Sequence, residues 1–405
     1  MKRTEGKPVM IRATVTPGML KRISVIEESR FRVANVKLPA LAMNRLRKNS
    51  KKKSSYASNK IEGNPLTEQQ ADEAIERDLH RHFLKPEQEV RNYFTALSFL
   101  EDRLAEDAPV TTDFVLQVQA IVEKGAPKEK IGLRGSMPPG VLFAVYDAQS
   151  GVPEYIPPDA SEIPELLAEL ERYIAETDDH PLIVAAIVHY QLVTIHPFED
   201  GNGRTARLVS GYILDRGGYG FQGIGSLEEY FAYNPDEYYA SLQMGLPPLY
   251  YDGRDNPPHP EVWIDYFLHM VELYSSKAAE LVDGEAEGEV EASLSHLRTR
   301  EKELLSHLLR EGIREFTPID IARELSVTNR TIINRTMALV ENGFIEPTLV
   351  RQRIRSYVLT SFSLANRDTI LSCITSSFNL QASPTTCRAA WPSRPRVWKC
   401  HPAIR

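Results

Sequence analysis

At 405 residues the chain is too long for one typical domain, and roughly two or three are expected. Its 42% hydrophobic content supplies real cores, and a formal charge of −7 excludes a globally basic nucleic-acid binder while leaving room for a local patch. No run of about 18 uncharged apolar residues is present, no apolar signal core follows Met1-Lys2-Arg3-Thr4-Glu5, and three cysteines confined to the end of the chain offer neither a disulfide framework nor metal spacing. The chain therefore reads as cytoplasmic, from a reducing compartment, with no membrane partner.

Residues 1–85 read as a helical N-terminal region. Its basic run from Arg45 to Lys53 reads as a solvated face. Ser58-Asn59-Lys60-Ile61-Glu62-Gly63-Asn64 follows and, taken alone, is a capped surface helix ending at Gly63. Residues 86–280 open with an amphipathic helix from Pro86 to Leu97. Glycine and proline thicken between Gly125 and Pro158. Within that stretch, Gly140 to Tyr146 and Val152 to Pro158 read as a β-hairpin. Pro181 to Ile195 is almost wholly apolar, a buried helix that ends near Pro197. A second helix follows Gly201, with Leu208, Tyr212, Ile213 and Leu214 as core candidates and Gly217-Gly218 as its stop. Trp263, Tyr266 and Phe267 follow helical spacing and are core candidates.

Between the two central helices runs His196-Pro197-Phe198-Glu199-Asp200-Gly201-Asn202-Gly203-Arg204-Thr205-Ala206-Arg207. It reads as a phosphate-handling loop opening a helix, because a helix N-terminus offers unpaired N–H groups and the positive end of a dipole. Gly201 and Gly203 lack Cβ, so backbone N–H groups can approach phosphate oxygens closely. Arg204 and Arg207 share a helix face, and their guanidinium forks suit phosphate. Asp200 is a hard oxygen ligand of the kind Mg²⁺ takes when it also holds substrate phosphates. His196 can accept a proton near neutral pH. Phe198 anchors the loop in the core.

The string matches H-[PFx]-F-x-[DE]-G-N-G-R-x-x-R at every defined position and resembles the Fic family motif. The resemblance implies a helical domain that moves AMP from ATP to a Ser, Thr or Tyr hydroxyl of a protein, or of the chain itself. It implies His196 as general base, Asp200 as the Mg²⁺ ligand, and Gly201, Asn202, Gly203, Arg204 and Arg207 as the phosphate cradle. Ser58, Glu62 and Gly63 resemble the family's inhibitory signature [ST]-x-x-x-E-[GN], which implies that Glu62 pairs with Arg207 where the γ-phosphate belongs. By the same resemblance the hairpin is a flap on which the target segment docks as an added strand. Tyr233 to Leu242 is similar to the family's N-x-x-x-Y-Y-x-x-L helix, which makes Asn234 and Tyr230 adenine-contact candidates; core packing is the other reading of these aromatics. Two alternatives stay open: a DNA-bound regulator that senses nucleotide, and a site that uses another nucleotide or removes AMP.

Residues 281–298, with acids alternating with glycine and alanine from Asp283 to Glu291, read as a linker or a solvated helix end. Residues 299–360 give helices from Arg300 to Arg310, from Thr317 to Leu325 and from Arg330 to Glu341, then strands at Phe344–Glu346 and Ile354–Leu359. This order resembles a winged helix-turn-helix. If it contacts DNA, Asn329, Arg330, Thr331 and Asn334 face bases, and Arg351, Arg353 and Arg355 lie near phosphates. Six arginines against four acids between Thr317 and Thr360 leave only +2, so DNA and protein partners both stay open. Residues 361–405 carry six Lys/Arg and one Asp with no clear period, and are expected to form an irregular, disordered tail. The expected class is mainly α, a Fic-type helical domain with a β-hairpin flap plus a C-terminal winged helix-turn-helix.

Overall fold

The central helix owes its place to composition. A helix that is apolar all round has no solvent face and must be enclosed by others. In the computed structural model, which describes residues 10–12, 14–77, 83–138, 140–141, 143–146, 153–246, 257–350 and 353–381, this helix is Pro181–Ile195, and all but three of its residues are buried. The described chain divides into two units after Ala286, each with its own core.

The first unit begins with α1 (Pro17–Asn35), α2 (Ala40–Ile61), α3 (Glu68–Glu76), α4 (Lys85–Ala105) and α5 (Thr112–Val122). Threonine oxygens cap three of these starts: Thr16 accepts from Met19 N, Thr67 from Gln70 N and Thr111 from Phe114 N. The basic run on α2 is ion-paired, with Lys51 on Glu101, Lys52 on Glu76 and Lys53 on Glu229. Next comes a short antiparallel pair, β1 (Val145–Tyr146) and β2 (Pro153–Tyr155), in the register Val145 to Tyr155 and Tyr146 to Pro153. The hairpin residues Leu142 and 147–152 lie outside the described residues.

Then follow α6 (Ile163–Glu176), the central α7 (Pro181–Ile195), α8 (Asn202–Arg216), α9 (Glu228–Tyr233), α10 (Pro235–Gln243) and α11 (Pro260–Ser295). Leu208, Tyr212, Ile213 and Leu214 of α8 are all buried. Trp263, Tyr266 and Phe267 of α11 are buried as well, and the Trp263 indole N–H donates to Ala186 O in α7 at 2.7 Å. His189 in α7 bonds Ser210 and Tyr238 at 3.1 and 2.8 Å, and burial drives its pKa far below the ordinary value, so it is a neutral structural histidine.

The stretch read as a linker or a solvated helix end is helical: α11 runs through the acidic residues to Ser295. Val282, Ala286, Val290 and Leu294 recur every fourth position and are buried, so a narrow apolar stripe outweighs the acidic composition.

The second unit contains α12 (Thr299–Arg310), β3 (Glu315–Phe316), α13 (Pro318–Glu324), α14 (Asn329–Glu341), β4 (Ile345–Val350) and β5 (Arg353–Leu359). Its strands form an antiparallel sheet in the order β3-β5-β4. Thr317 and Thr328 cap α13 and α14. Asn329, Arg330 and Asn334 are exposed, Thr331 is half-buried, and Arg351 lies outside the described residues.

The expectation of an irregular tail is corrected over its first part. Ser361–Ala365 forms α15 and Arg367–Gln381 forms α16. Ile370 and Ile374, one turn apart, are fully buried in the second core, and Arg367 Nε donates to Leu309 O at 2.9 Å. Residues 382–405 lie outside the described residues. Ile370→Ala should lower the unfolding free energy of this unit by about 2–5 kcal/mol, the usual cost of such a deletion in a packed core. Chemical denaturation followed by circular dichroism measures it, and a loss below about 0.5 kcal/mol would mean that α16 is not part of the core.

Candidate active site

The site begins where α7 stops. Pro197 disfavours continued helix for the residue before it. His196 takes the left-handed conformation, φ 48° and ψ 59°, while its N–H still bonds Leu192 O at 3.1 Å. Such a conformation in a non-glycine residue costs on the order of 1–3 kcal/mol and needs surrounding structure to hold it. The imidazole Nδ1 lies 3.2 Å from Val193 O, so Nδ1 carries the proton and donates. Nε2 is left with its lone pair. Burial pushes the His196 pKa down to about 4, against the opposing effect of the Val193 carbonyl.

The loop is closed by Asn202. Its Oδ1 accepts from Phe198 N at 3.0 Å and its Nδ2 donates to Phe198 O at 2.9 Å, while the Phe198 ring is buried. Gly201, at φ 80°, then turns the chain into α8. The first-turn N–H groups of α8 have no intrahelical acceptors, which suits an anion.

Asp200 stands at the mouth. Its Oδ1 accepts from Gly201 N at 2.9 Å and from Arg204 at 3.2 Å, and its Oδ2 meets Lys130 Nζ at 3.2 Å. Burial raises its carboxyl pKa, but Arg204, Lys130 and the Gly201 N–H outweigh burial and leave it below the ordinary value. Asp200 is an ionised, half-buried carboxylate, and it fits a Mg²⁺ bound by one carboxylate with phosphate oxygens and water completing the shell. Among the described residues no cluster of three or more His, Cys, Asp or Glu could hold a metal ion, so such an ion would need oxygens from the substrate.

Arg204 and Arg207 are buried side chains of α8. Arg204 donates to Glu123 Oε1 at 2.8 Å. Arg207 Nε donates to Ser58 Oγ at 2.8 Å, and its second nitrogen donates to Ser58 O at 3.0 Å and Glu62 Oε1 at 2.6 Å. Burial works against the Arg207 charge, but Glu62 and nearby tyrosines outweigh it and raise the pKa above the ordinary value. Arg204 Nε and one terminal nitrogen on each arginine have no partner among the described residues. Glu62 itself caps the C-terminus of α2, and Gly63 follows at φ 80°. A Cβ built on Gly203 would collide with Glu62 Oε1, so the carboxylate lies directly over the first turn of α8.

Residues 109–214, from the start of α5 through α8, match the model of the Fic/DOC family. Over that stretch the chain is similar to a Fic domain. Curated relatives that it resembles include "Protein adenylyltransferase Fic" of Nematostella vectensis, 28% identical over 48% of this chain and 44% of the relative. Another of the same name, from Drosophila mojavensis, is 27% identical over 49% of this chain and 38% of the relative. The chain spans less than half the length of these relatives. A Fic family protein of Desulfovibrio desulfuricans G20 shares the fold, with a TM-score of 0.54, 24% identity, and coverage of 86% of this chain and 97% of that one.

The structure gathers His196, Asp200, Asn202, Arg204, Arg207, Ser58 and Glu62 around one end of α8. Asn234 is instead an exposed cap of α10, accepting from Glu237 N at 3.3 Å, and Tyr230 is half-buried against the core. Neither has a hydrogen bond or ion pair to the cluster among the described residues. Three residues that face the site carried no signal in the sequence. Glu123 neutralises Arg204, and burial raises its own pKa despite that partner. Lys130 meets Asp200, and Arg134 holds the His196 carbonyl. Each comes from a loop or helix end with no motif of its own.

The contact over Gly203 yields a double-mutant test. Gly203→Ala should destabilise the parent by about 1–3 kcal/mol, because Glu62 must leave Arg207 to make room. In a Glu62→Gly background the same change should cost less, because only the 3.2 Å approach to the Arg207 guanidinium remains. Thermal or denaturant unfolding of the four proteins reads the coupling. Equal costs in both backgrounds would place Glu62 away from Gly203.

Proposed function

We propose that the chain is a protein adenylyltransferase, moving AMP from ATP to a Ser, Thr or Tyr hydroxyl of a protein target, and that Glu62 on Arg207 restrains it. The observation that carries this reading is His196: its Nδ1 is tied to Val193 O, and its Nε2 has no hydrogen-bond partner among the described residues, beside the start of α8. A phosphate sensor has no use for such a base. Support also comes from the relatives named protein adenylyltransferase Fic.

On this reading the first turn of α8, with Gly201, Asn202, Gly203, Arg204 and Arg207, holds the phosphates of ATP. Asp200 would hold Mg²⁺ beside them, and when bound the ion would offset charge on the diphosphate. Asn234 and Tyr230 are proposed for the adenine side. His196 Nε2 takes the target hydroxyl proton, the oxygen bonds the α-phosphorus, and the bond to the diphosphate breaks in line. General-base help of this kind contributes roughly 10²–10⁴-fold. Glu62 occupies the Arg207 donor that the γ-phosphate needs, so ATP bound over the pair would present its α-phosphate poorly.

Parallel incubations with α- and γ-labelled ATP test the reaction. Retained α-label alone marks AMP transfer, and retained γ-label marks phosphorylation and rejects it. Glu62→Gly should raise self-labelling by about ten- to a hundredfold, the ratio expected if a closed state favoured by about 1.4–2.8 kcal/mol leaves 1–10% of molecules competent. His196→Ala on that background should abolish labelling and keep ATP binding. Equal labelling by the parent and Glu62→Gly over a range of ATP concentrations removes the restraint from the proposal.

The pH profile follows from the lowered His196 pKa. The base works only when neutral, so activity is present above the folded pKa and is lost as pH falls through about 4. Turnover by Glu62→Gly should stay level from about pH 6 to 8, where an unshifted histidine would titrate. A half-maximal point near pH 6.5 would show that the imidazole is not shifted.

For the second unit we propose a winged helix-turn-helix that meets its partner through Asn329, Arg330, Thr331 and Asn334. A mobility shift that Arg330→Ala weakens would assign the surface to DNA; no shift by the parent would assign it to protein.

A further inference from the structure

We propose that Arg134 is a positioning residue that ties the β1–β2 flap to the base His196, so that the docked target segment and the base are held as one unit. The proposal rests on the transfer reading above for its consequence, and on the contacts of Arg134 for its geometry.

Arg134 is a buried cation whose side-chain hydrogen bonds go to backbone carbonyls on two sides. Nε donates to His196 O at 2.8 Å. A terminal nitrogen donates to Pro158 O, at the end of the segment that leaves β2. The guanidinium also stacks over the Phe143 ring, 4.7 Å from its centroid, on the approach to β1. Phe143 in turn lies 6.0 Å from the His196 ring. The backbone repeats the link: Arg134 N donates to Pro197 O at 2.9 Å, and Leu133 bridges Phe198. Tyr155 of β2 adds a second tether, its hydroxyl donating to Thr194 O at 2.6 Å.

The need for the tether is local. His196 is left-handed and ends its helix, so its carbonyl has left the intrahelical ladder and requires another donor. Arg134 supplies it and fixes the peptide that carries the base. The same planar fork reaches the flap, which a single ammonium cannot do from one position. A flap strand lengthened by a target segment is thus held in register with Nε2 of His196. A misplacement of about 1 Å between base and hydroxyl costs on the order of a hundredfold in rate.

Arg134→Lys and Arg134→Met, made in the full chain carrying Glu62→Gly, test this. Hydrogen–deuterium exchange of the segments 153–158 and 193–199 should quicken together, more in Met than in Lys. The turnover number should fall about a hundredfold in Met and less in Lys, with KM for ATP within about twofold, because the phosphate cradle lies on α8. An unchanged ATP affinity also shows that each variant is folded; if Met fails to fold, Lys carries the test. Faster exchange confined to 153–158, or a parental turnover number in the variants, overturns the proposal. Exchange needs no turnover: coupled loosening in a chain that transfers no AMP would keep the tether and reject the transfer reading.

Discussion

A buried guanidinium has to be answered by something, and at Arg207 that requirement connects the N-terminal helices to the site. The residue is only 2% exposed, in the second turn of α8. Removing one partner of a buried pair is costly because the remaining charge is stranded. Ser58 of α2 and Glu62 at its C-terminal cap supply that partner, and an anionic ligand at the start of α8 is another group that could. The face of α2 that is buried beneath them is unusually polar, with Ser50, Ser54, Ser55, Ser58 and Asn59 enclosed. Ser50, Ser55 and Asn59 donate to carbonyls of α2 itself, while Ser50 also accepts from Gly225 N and Ser58 accepts from Arg207 Nε. On the proposed reading this is what makes the restraint reversible: the phosphates of ATP and the carboxylate of Glu62 answer the same charge.

The other half of the site is set by backbone geometry. An apolar α7 fixes the direction of approach, and Pro197 forces the chain out of the helix. Asn202 closes the loop with two hydrogen bonds to a single residue, Phe198, whose buried ring prevents drift. His196 and Asp200 therefore project from a segment clamped at both ends. Around it, Glu123, Lys130 and Arg134 balance charges and hold carbonyls.

The acidic end of α11 and the first part of the tail illustrate a limit of composition. By residue type the first read as a linker or a solvated helix end and the second as irregular; both are helical with one residue in four apolar and buried: Val282, Ala286, Val290 and Leu294 in one case, Ile370 and Ile374 in the other. Periodicity on one face decides a helix, and a highly charged opposite face does not prevent it.

The sequence by itself determined which residue types stand together at the candidate site and the character of its frame. His196 to Arg207 are contiguous, so the histidine, the carboxylate, the glycines and the arginines were legible together, as were the helices on either side from their apolar spacing. Ser58 and Glu62 were legible through their short pattern. Tertiary structure alone decided what those groups touch. Glu123 meets Arg204 across 81 residues, Lys130 meets Asp200 across 70, and Arg134 meets His196 across 62. No local spacing encodes such pairs, because a buried polar group accepts any partner of suitable charge that the packing brings within hydrogen-bond reach.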